Sequence, residues 1–501
     1  MNKQSTLLVS SCLTVILSAC GGGGGTGANT LDSDLSTIIT AKGLTADPTT
    51  GRTLPSINDP LVQLGMKLFF TKGLGADQDS ACVTCHHPVL GGGDNLSLPV
   101  GVDAETPDML GPGRRHEFGS PGFDGGPTVP RNAPTTYNLG LWDEVLFHDG
   151  RVESLDKIAG ANGAGATGIR TPDSAFGTAD ANAGANMAEA QARFPVTSPE
   201  EMRGFDFPAI NSNALIRTDL ENRLQAAAST ISPLAVNDWL AEFRTGFADP
   251  AGTAAALITY GNIARAMAEY ERSQVFINTP WKAYVDGDAS AISDDAKRGA
   301  ILFFNSTADG GANCAACHSG DFFTDEKFHV VAMPQVGRGK GNGAGGNDDF
   351  GRFRETGVAA DMYAFRTPAL LNVEMTGPWN HVGSYTSLEA VVRHHLNPQN
   401  AIDNYDYTQI DAAIDASDMA TNTQLAMDTL TANRTAGVIT PILEDVTLSN
   451  DQVNQLVAFL KALTDPCLKD RTCIGQWVPT AQDSNPDALR INAFDQNGDA
   501  L

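Results

Sequence analysis

Cys82-Val83-Thr84-Cys85-His86 and Cys314-Ala315-Ala316-Cys317-His318 decide how the rest of this chain folds. Both spell C-x-x-C-H. Two thiols at that spacing can each form a thioether to a haem vinyl group, and the histidine that follows is placed under the iron as its proximal ligand. In a chain with 8 Cys and 9 His, two such runs predict two covalently bound haem c groups, held by Cys82, Cys85, Cys314 and Cys317 with His86 and His318 as axial ligands. The competing reading, one zinc shared by the four cysteines, leaves both adjacent histidines without a role.

The repetition extends outward from the motifs. Leu64-Gly65-Met66-Lys67-Leu68-Phe69-Phe70 precedes the first and Arg298-Gly299-Ala300-Ile301-Leu302-Phe303-Phe304 the second, both with helical apolar periodicity. Downstream, Pro134-Thr135-Thr136-Tyr137-Asn138 matches Pro368-Ala369-Leu370-Leu371-Asn372. Phe147-His148-Asp149-Gly150 with Ser154-Leu155 matches Asn380-His381-Val382-Gly383 with Ser387-Leu388. Anchors in the same order imply duplication, and the predicted fold is mainly α: two tandem cytochrome c-like haem domains, with few strands and long loops. The expected boundaries are a leader at 1–19, a flexible tether at 20–50, haem domains at 51–285 and 286–466, and a C-terminal extension at 467–501. Ala254 to Val285 reads as one long helix, residues 292–304 and 449–464 as two more, and the Gly-rich stretches 160–190 and 337–348 as loops.

Thioether attachment needs reduced thiols delivered outside the cytoplasm, so an export leader is expected. Lys3, the short apolar run Leu7 to Leu17 and the small residues before Cys20 supply one. The spelling Leu17-Ser18-Ala19-Cys20 resembles a bacterial lipoprotein leader, which makes Cys20 the lipidation site and the lipid the sole membrane contact, with the protein facing the periplasm from the outer membrane. The alternative is an ordinary cleaved leader. A balance of 33 basic against 59 acidic residues, net -26, excludes nucleic acid as a partner, because phosphate contacts need basic patches. A basic electron-donor protein suits such a surface, and so does a merely soluble exterior. Cys467 and Cys473 are expected to form a disulfide.

With these motifs in hand, the chain resembles the bacterial di-haem cytochrome c peroxidases and the related MauG-type enzymes from about residue 55 to 465. The resemblance rests on the paired haem motifs, Arg131-Asn132-Ala133-Pro134-Thr135, Phe147 to Arg151, Pro199-Glu200-Glu201-Met202 and Thr367 to Asn372. It implies that the N-terminal haem cleaves hydrogen peroxide and that the C-terminal haem relays electrons from a small redox protein, such as a cytochrome c or a cupredoxin. It also makes Glu201 the distal proton-transferring carboxylate; without the resemblance, a surface glutamate in the first turn of a helix fits equally well. His116 is the candidate in the loop 91–130 for a histidine capping the first iron, and a plain loop histidine is the alternative.

The relay haem's sixth ligand, a methionine in most members and a tyrosine in MauG-type enzymes, is expected at His395, next to His394. Met375 and Met362 are the alternatives. His148 stands where the family places a tryptophan between the haems, leaving direct tunnelling, Trp142 or Trp379 as the electron route. A calcium ion is expected on Asn132, Thr376 and Pro378, and His329 and His381 are expected to bond propionates or backbone. Family peroxidases are often homodimers. The leading reading is a peroxidase; a MauG-type enzyme oxidising residues of a partner protein, and a non-enzymatic di-haem electron carrier, are the alternatives.

Overall fold

A computed structural model describes residues 28–120, 126–205, 212–437 and 443–501; the leader and Cys20 lie outside the described residues. Each half is built on one close helix crossing beside its haem motif. In the first, Pro60–Phe70 starts on a proline at its N-terminal turn and buries Val62, Leu64, Met66, Leu68, Phe69 and Phe70. It crosses Tyr260–Arg272 at Gly65, where a methyl group would overlap the Ala266 carbonyl oxygen and press on Tyr270 Cβ. The second half repeats this: Asp294–Phe304 crosses Asn450–Ala462 at Gly299, against the Gln455 carbonyl and Phe459 Cβ. Only glycine lets two helix backbones approach so closely, and the two crossings use the same i, i+4 pair on the partner helix.

Caps set the ends of these helices. Ser293 accepts from Ala296 N, with Asp294 and Asp295 in the first turn where the helix dipole favours anions. Ser449 and Gln452 form a reciprocal capping box. Around the second crossing, Phe303, Phe304, Phe323, Phe459 and Trp281 make one aromatic core with ring centroids 5.1–6.3 Å apart. Each such buried ring contributes about 1.5–3 kcal/mol relative to exposure.

The strands are short: Val145–Leu146, Val152–Ser154 and Ile169–Arg170 form an antiparallel sheet in that order, and Phe328–His329 pairs with Phe365–Arg366. The expected long helix at 254–285 is three pieces, Ala254–Leu257, Tyr260–Arg272 and Pro280–Val285. Thr259 and Thr279 each cap a fresh start through their side chains. Between the last two pieces the chain runs to Asn138, whose Oδ1 accepts from Phe276 N at 2.8 Å while its own N donates to Gln274 O. Asn138 and Asn372, matched in the repeat, both hold a left-handed backbone and both donate Nδ2 to the Phe276 carbonyl, so the duplicated asparagines join the halves there.

The tether is ordered in its second part. Ala28–Lys42 is a helix with Leu35 fully buried in the second half's core, alongside Trp281 and Tyr284, which the sequence had placed in the first domain. The C-terminal extension runs the other way. Ile491 N donates to Phe70 O and Lys72 N to Leu489 O, and Ile491, Ala493 and Leu501 pack on Phe69 and Phe70. Its Cys467–Cys473 disulfide is formed. The Ala28–Lys42 helix and the C-terminal extension thus each strap the opposite half.

Candidate active site

The proximal sides of the two motifs are copies. His86 Nδ1 lies 3.1 Å from Gly92 O and is also held by the Pro134 carbonyl. His318 Nδ1 lies 3.2 Å from Phe323 O and 3.1 Å from Pro368 O. Pro134 and Pro368 are the matched repeat anchors, so their shared task is to orient the imidazole and leave Nε2 for a metal. Burial keeps both imidazoles neutral, the ligating form.

In the first half, Cys82, Cys85 and His86 line a cavity of about 1210 Å³, its open mouth included, with Phe69, Val129, Leu139, Leu146 and Met267 as apolar wall. Two thiols, one oriented imidazole and an adjoining cavity with this apolar wall fit a covalently attached haem. Glu201 lines the same cavity, on the turn Pro199–Arg203, where Met202 N and Arg203 N both donate to Ser198 O. Its remaining surface faces the cavity, and burial pushes its carboxyl above the usual range against the opposing pull of Arg151 and Lys340. Arg151 is held with its guanidinium carbon 3.9 Å from the Phe147 ring centroid. Lys340 reaches in from the second half's 337–348 loop. Burial lowers its ammonium to about 8, with help from Arg151 and Arg131.

That loop is clamped by buried ion pairs between the halves. Arg131 bonds Asp349 through Nε at 2.7 Å and Nη2 at 2.8 Å, and Asp149 through Nη1 at 2.5 Å. Arg352 bonds Asp149 O, Gly150 O and Glu153. Sequence reasoning missed Lys340 because a lone lysine among glycines looks like any solvated loop residue.

In the second half the opposite face is closed. The His395 ring centroid lies 6.4 Å from that of His318, and its Nδ1 is tied to Val391 O at 2.8 Å. Two imidazoles bound to one metal through Nε2, at about 2.0–2.1 Å each, place their centroids about 6.3 Å apart. The pair fits a six-coordinate iron. His394 is committed elsewhere, to Tyr385 Oη and Val331 O, both at 2.8 Å. Met375 packs with Tyr137, Phe276 and Trp477, and Met362 with Val330 and Tyr363, both away from His318.

The structure does not bring His116 to the first cavity. Its backbone pairs with Ala104, its Nδ1 lies 3.2 Å from Glu117 O, and the loop is organised around buried Arg114, which donates to the carbonyls of Val100, Gly101, Thr106, Pro107 and Met109. His329 and His381 bond side chains, Asp325 at 2.8 Å and Gln335 at 3.3 Å, rather than backbone. Asn132 adjoins the 376–383 turn through N to His381 O, and its Nδ2 donates to Leu96 O and Ser97 O. Among the described residues, one group of three acidic, His or Cys side chains has metal-ligand spacing: Cys317, Asp325 and His329. Its cysteine is the second one of the Cys314 to His318 motif.

Trp142 lines the first cavity and packs edge-on against Phe322 at 5.2 Å, in the segment that follows His318. Trp379 instead lies in the second half's core, its Nε1 donating to Val373 O at 2.9 Å.

Comparison with known proteins agrees with this arrangement. Residues 59–290 match the family model described as di-haem cytochrome c peroxidase. The methylamine utilization protein MauG of Methylorubrum extorquens is 31% identical over 335 residues, 67% of this chain and 68% of that protein. Cytochrome c551 peroxidase of Pseudomonas aeruginosa is 24% identical over 336 residues, 67% of this chain and 71% of that protein. Among solved structures, a MauG-like protein associated with microbial copper homeostasis superposes with TM-score 0.53 at 19% identity, over 87% of this chain and 97% of that one. The diheme peroxidase BthA of Burkholderia thailandensis gives 0.51 at 19%, over 89% and 92%. At that identity the structural likeness establishes the fold.

Proposed function

We propose that this chain, which belongs to the family of di-haem cytochrome c peroxidases and MauG-type enzymes, reduces hydrogen peroxide to two waters with two electrons from a small redox protein. One observation carries the reading: the two motifs share a proximal design, yet the first opens on a cavity holding Glu201 while the second is faced by His395. Bound haem supplies an iron that accepts the peroxide and exchanges electrons. The chain's residues do the rest. His86 and His318, oriented by Pro134 and Pro368, would hold the two irons through Nε2. Glu201 takes the proton from the near oxygen of peroxide and returns it to the far oxygen as the O–O bond breaks. Arg151 and Lys340 favour the carboxylate that must accept it. The apolar wall keeps bulk water from competing.

Electrons enter at the second motif, where Ala312 to Ser319 are all half-exposed, whereas Val83 and Thr84 of the first motif are buried. Lipidation of Cys20 as the anchor and a periplasmic location belong to the same proposal, on the run Leu17-Ser18-Ala19-Cys20; among the described residues no helix is long and apolar enough to cross a membrane. Calcium on Asn132 Oδ1 with the Thr376 and Pro378 carbonyls belongs to the same proposal, since Asn132 Nδ2 is turned away to Leu96 and Ser97. The test is to mix peroxide with the holoprotein and a reduced cytochrome c. Rapid donor oxidation with one peroxide consumed per two electrons is expected; a peroxide-inert protein refutes the proposal.

A further inference from the structure

Trp142 carries a cation on its face. The Arg366 guanidinium carbon stands 3.6 Å from the indole centroid, and Trp142 is 5% exposed. Arg366 lies two residues before Pro368, the anchor of His318, and lines the first cavity together with Trp142 and His86. The aromatic that touches both haem-holding segments is therefore the one that bears the charge.

Glu326 and Asp149 offset that charge in part, and only from beyond ion-pair distance. Arg366 has no carboxylate within ion-pair distance among the described residues, its one side-chain bond is to Val145 O at 3.4 Å, and its buried Nε has no hydrogen-bond partner. Burial lowers the guanidinium to about 10, so it remains a cation at neutral pH. A cation over an indole is attracted to the negative face of the ring. The same charge opposes removal of an electron from that ring, because the product is a second positive charge at contact distance in a poorly screened site.

We propose that Arg366 keeps Trp142 from serving as a hole carrier, so that the oxidised first site is refilled by electrons tunnelling from the second site and not by electrons taken from the indole. The proposal rests on the peroxidase reading above. In balance, peroxide takes two electrons from the first site and leaves as two waters after uptake of two protons. With Arg366 present, reduced second-site iron and the donor behind it return those electrons. Without it, Trp142 gives up one electron to the oxidised first site, which is reduced by one, and remains as an indole cation radical until a donor refills it.

Arg366→Met, Arg366→Gln, Arg366→Lys and Trp142→Phe/Arg366→Met holoproteins, each fully oxidised and without donor, are mixed with one equivalent of peroxide and freeze-quenched. The Soret band reports reaction at the first site; electron paramagnetic resonance reports the tryptophan radical. The expected result is a radical yield raised about tenfold or more in the Met and Gln variants, parent-like in the Lys variant, which keeps the cation, and abolished in the double variant. Using two neutral replacements guards against one of them failing to fold. A Soret change with no more radical in the neutral variants than in the parent overturns the proposal alone, as does a parent that already accumulates the Trp142 radical. A Soret band unmoved by peroxide in every protein removes the peroxidase reading and the proposal with it.

Discussion

Replacing Glu201 by Gln keeps the shape of the cavity wall and removes the carboxylate on which Arg151 and Lys340 act. A positioned general acid–base group is worth about 10²- to 10⁴-fold, or roughly 3–5 kcal/mol at 1.36 kcal/mol per tenfold. The whole of that range applies here, because Glu201 is poorly solvated while Glu271, whose Oε2 is buried without a hydrogen-bond partner, is a second carboxylate lining the same cavity. The pH dependence adds a sign. Burial raises the Glu201 pKa, Arg151 and Lys340 pull it back, and Glu200 pushes it up again. The rate with peroxide therefore rises as pH climbs through that pKa and the accepting carboxylate forms. Lys340→Met removes a cation that favours the carboxylate, so the rising limb moves to higher pH. The parent also loses the Lys340 charge near its own pKa of about 8, which gives a second bend that the Met variant lacks. Stopped-flow Soret traces of half-reduced protein against peroxide, from pH 4 to pH 9, measure all of this. A Gln variant within about threefold of the parent, where a general acid–base role predicts far more, would show that Glu201 handles no proton, and a limb unmoved by Lys340→Met would refute the electrostatic argument.

His395→Ala should convert the second haem from six-coordinate low-spin to an open high-spin site, read by low-temperature magnetic resonance; an unchanged spectrum means another ligand is in place. Gly65→Ala and Gly299→Ala should each cost about 1–3 kcal/mol or more, since overlap with the Ala266 and Gln455 carbonyls outweighs the ~1 kcal/mol of helix propensity gained. Gly261→Ala, exposed in the same helix as Ala266 with no neighbour closer than 3.9 Å, should instead stabilise by about 0.5–1 kcal/mol in thermal or denaturant unfolding. Acid unfolding should follow the inter-half clamp. Burial alone would raise Asp349, but Arg131 overrides it and holds the carboxyl at about 2. The folded pKa is thus below the unfolded ~3.9, so this group's contribution of about 2–3 kcal/mol is complete above pH ~4 and lost as pH falls toward 2. Asp349→Asn should flatten that part of the stability curve, and an unaltered acid limb would refute the linkage.

What was legible in the sequence is what a few neighbouring residues dictate. C-x-x-C-H specifies its chemistry within five positions, and the apolar periodicity of 449–464 marks a helix on its own. The 254–285 stretch failed because apolar periodicity does not register that Phe276 N is needed by Asn138 on another segment. The tether failed similarly: Gly21 to Gly25 bias the reading, while Leu35, the residue that ties the Ala28–Lys42 helix down, finds its partners only in the second half's core. His116 attracted notice as the only histidine in its loop, yet a buried arginine organises that loop, and arginine carries no local signal of burial. Lys340 and Arg366 are the sharpest cases, because each acts on the first cavity from the other half of the chain.

The duplication explains why one site opens and the other does not. From Gly150 to Ser154 and from Gly383 to Ser387 the halves keep the same spacing, and then they part. Ser387 accepts from Ala390 N at 3.4 Å and caps the helix Leu388–Leu396, which delivers His395 opposite His318. Ser154 lies fully buried in a strand and donates to Gly163 O at 3.1 Å; the residues after it include Gly160, Gly163, Gly165 and Gly168 and form no helix. With four glycines in that span, each costing up to ~1 kcal/mol of helix stability relative to alanine, no ligand-bearing helix forms there. The Pro199–Arg203 turn lies against the cavity instead and contributes a carboxylate rather than an imidazole. The proximal sides are alike, and the helix that follows Ser387 but has no counterpart after Ser154 is what places an imidazole opposite His318 and leaves the face opposite His86 to the cavity.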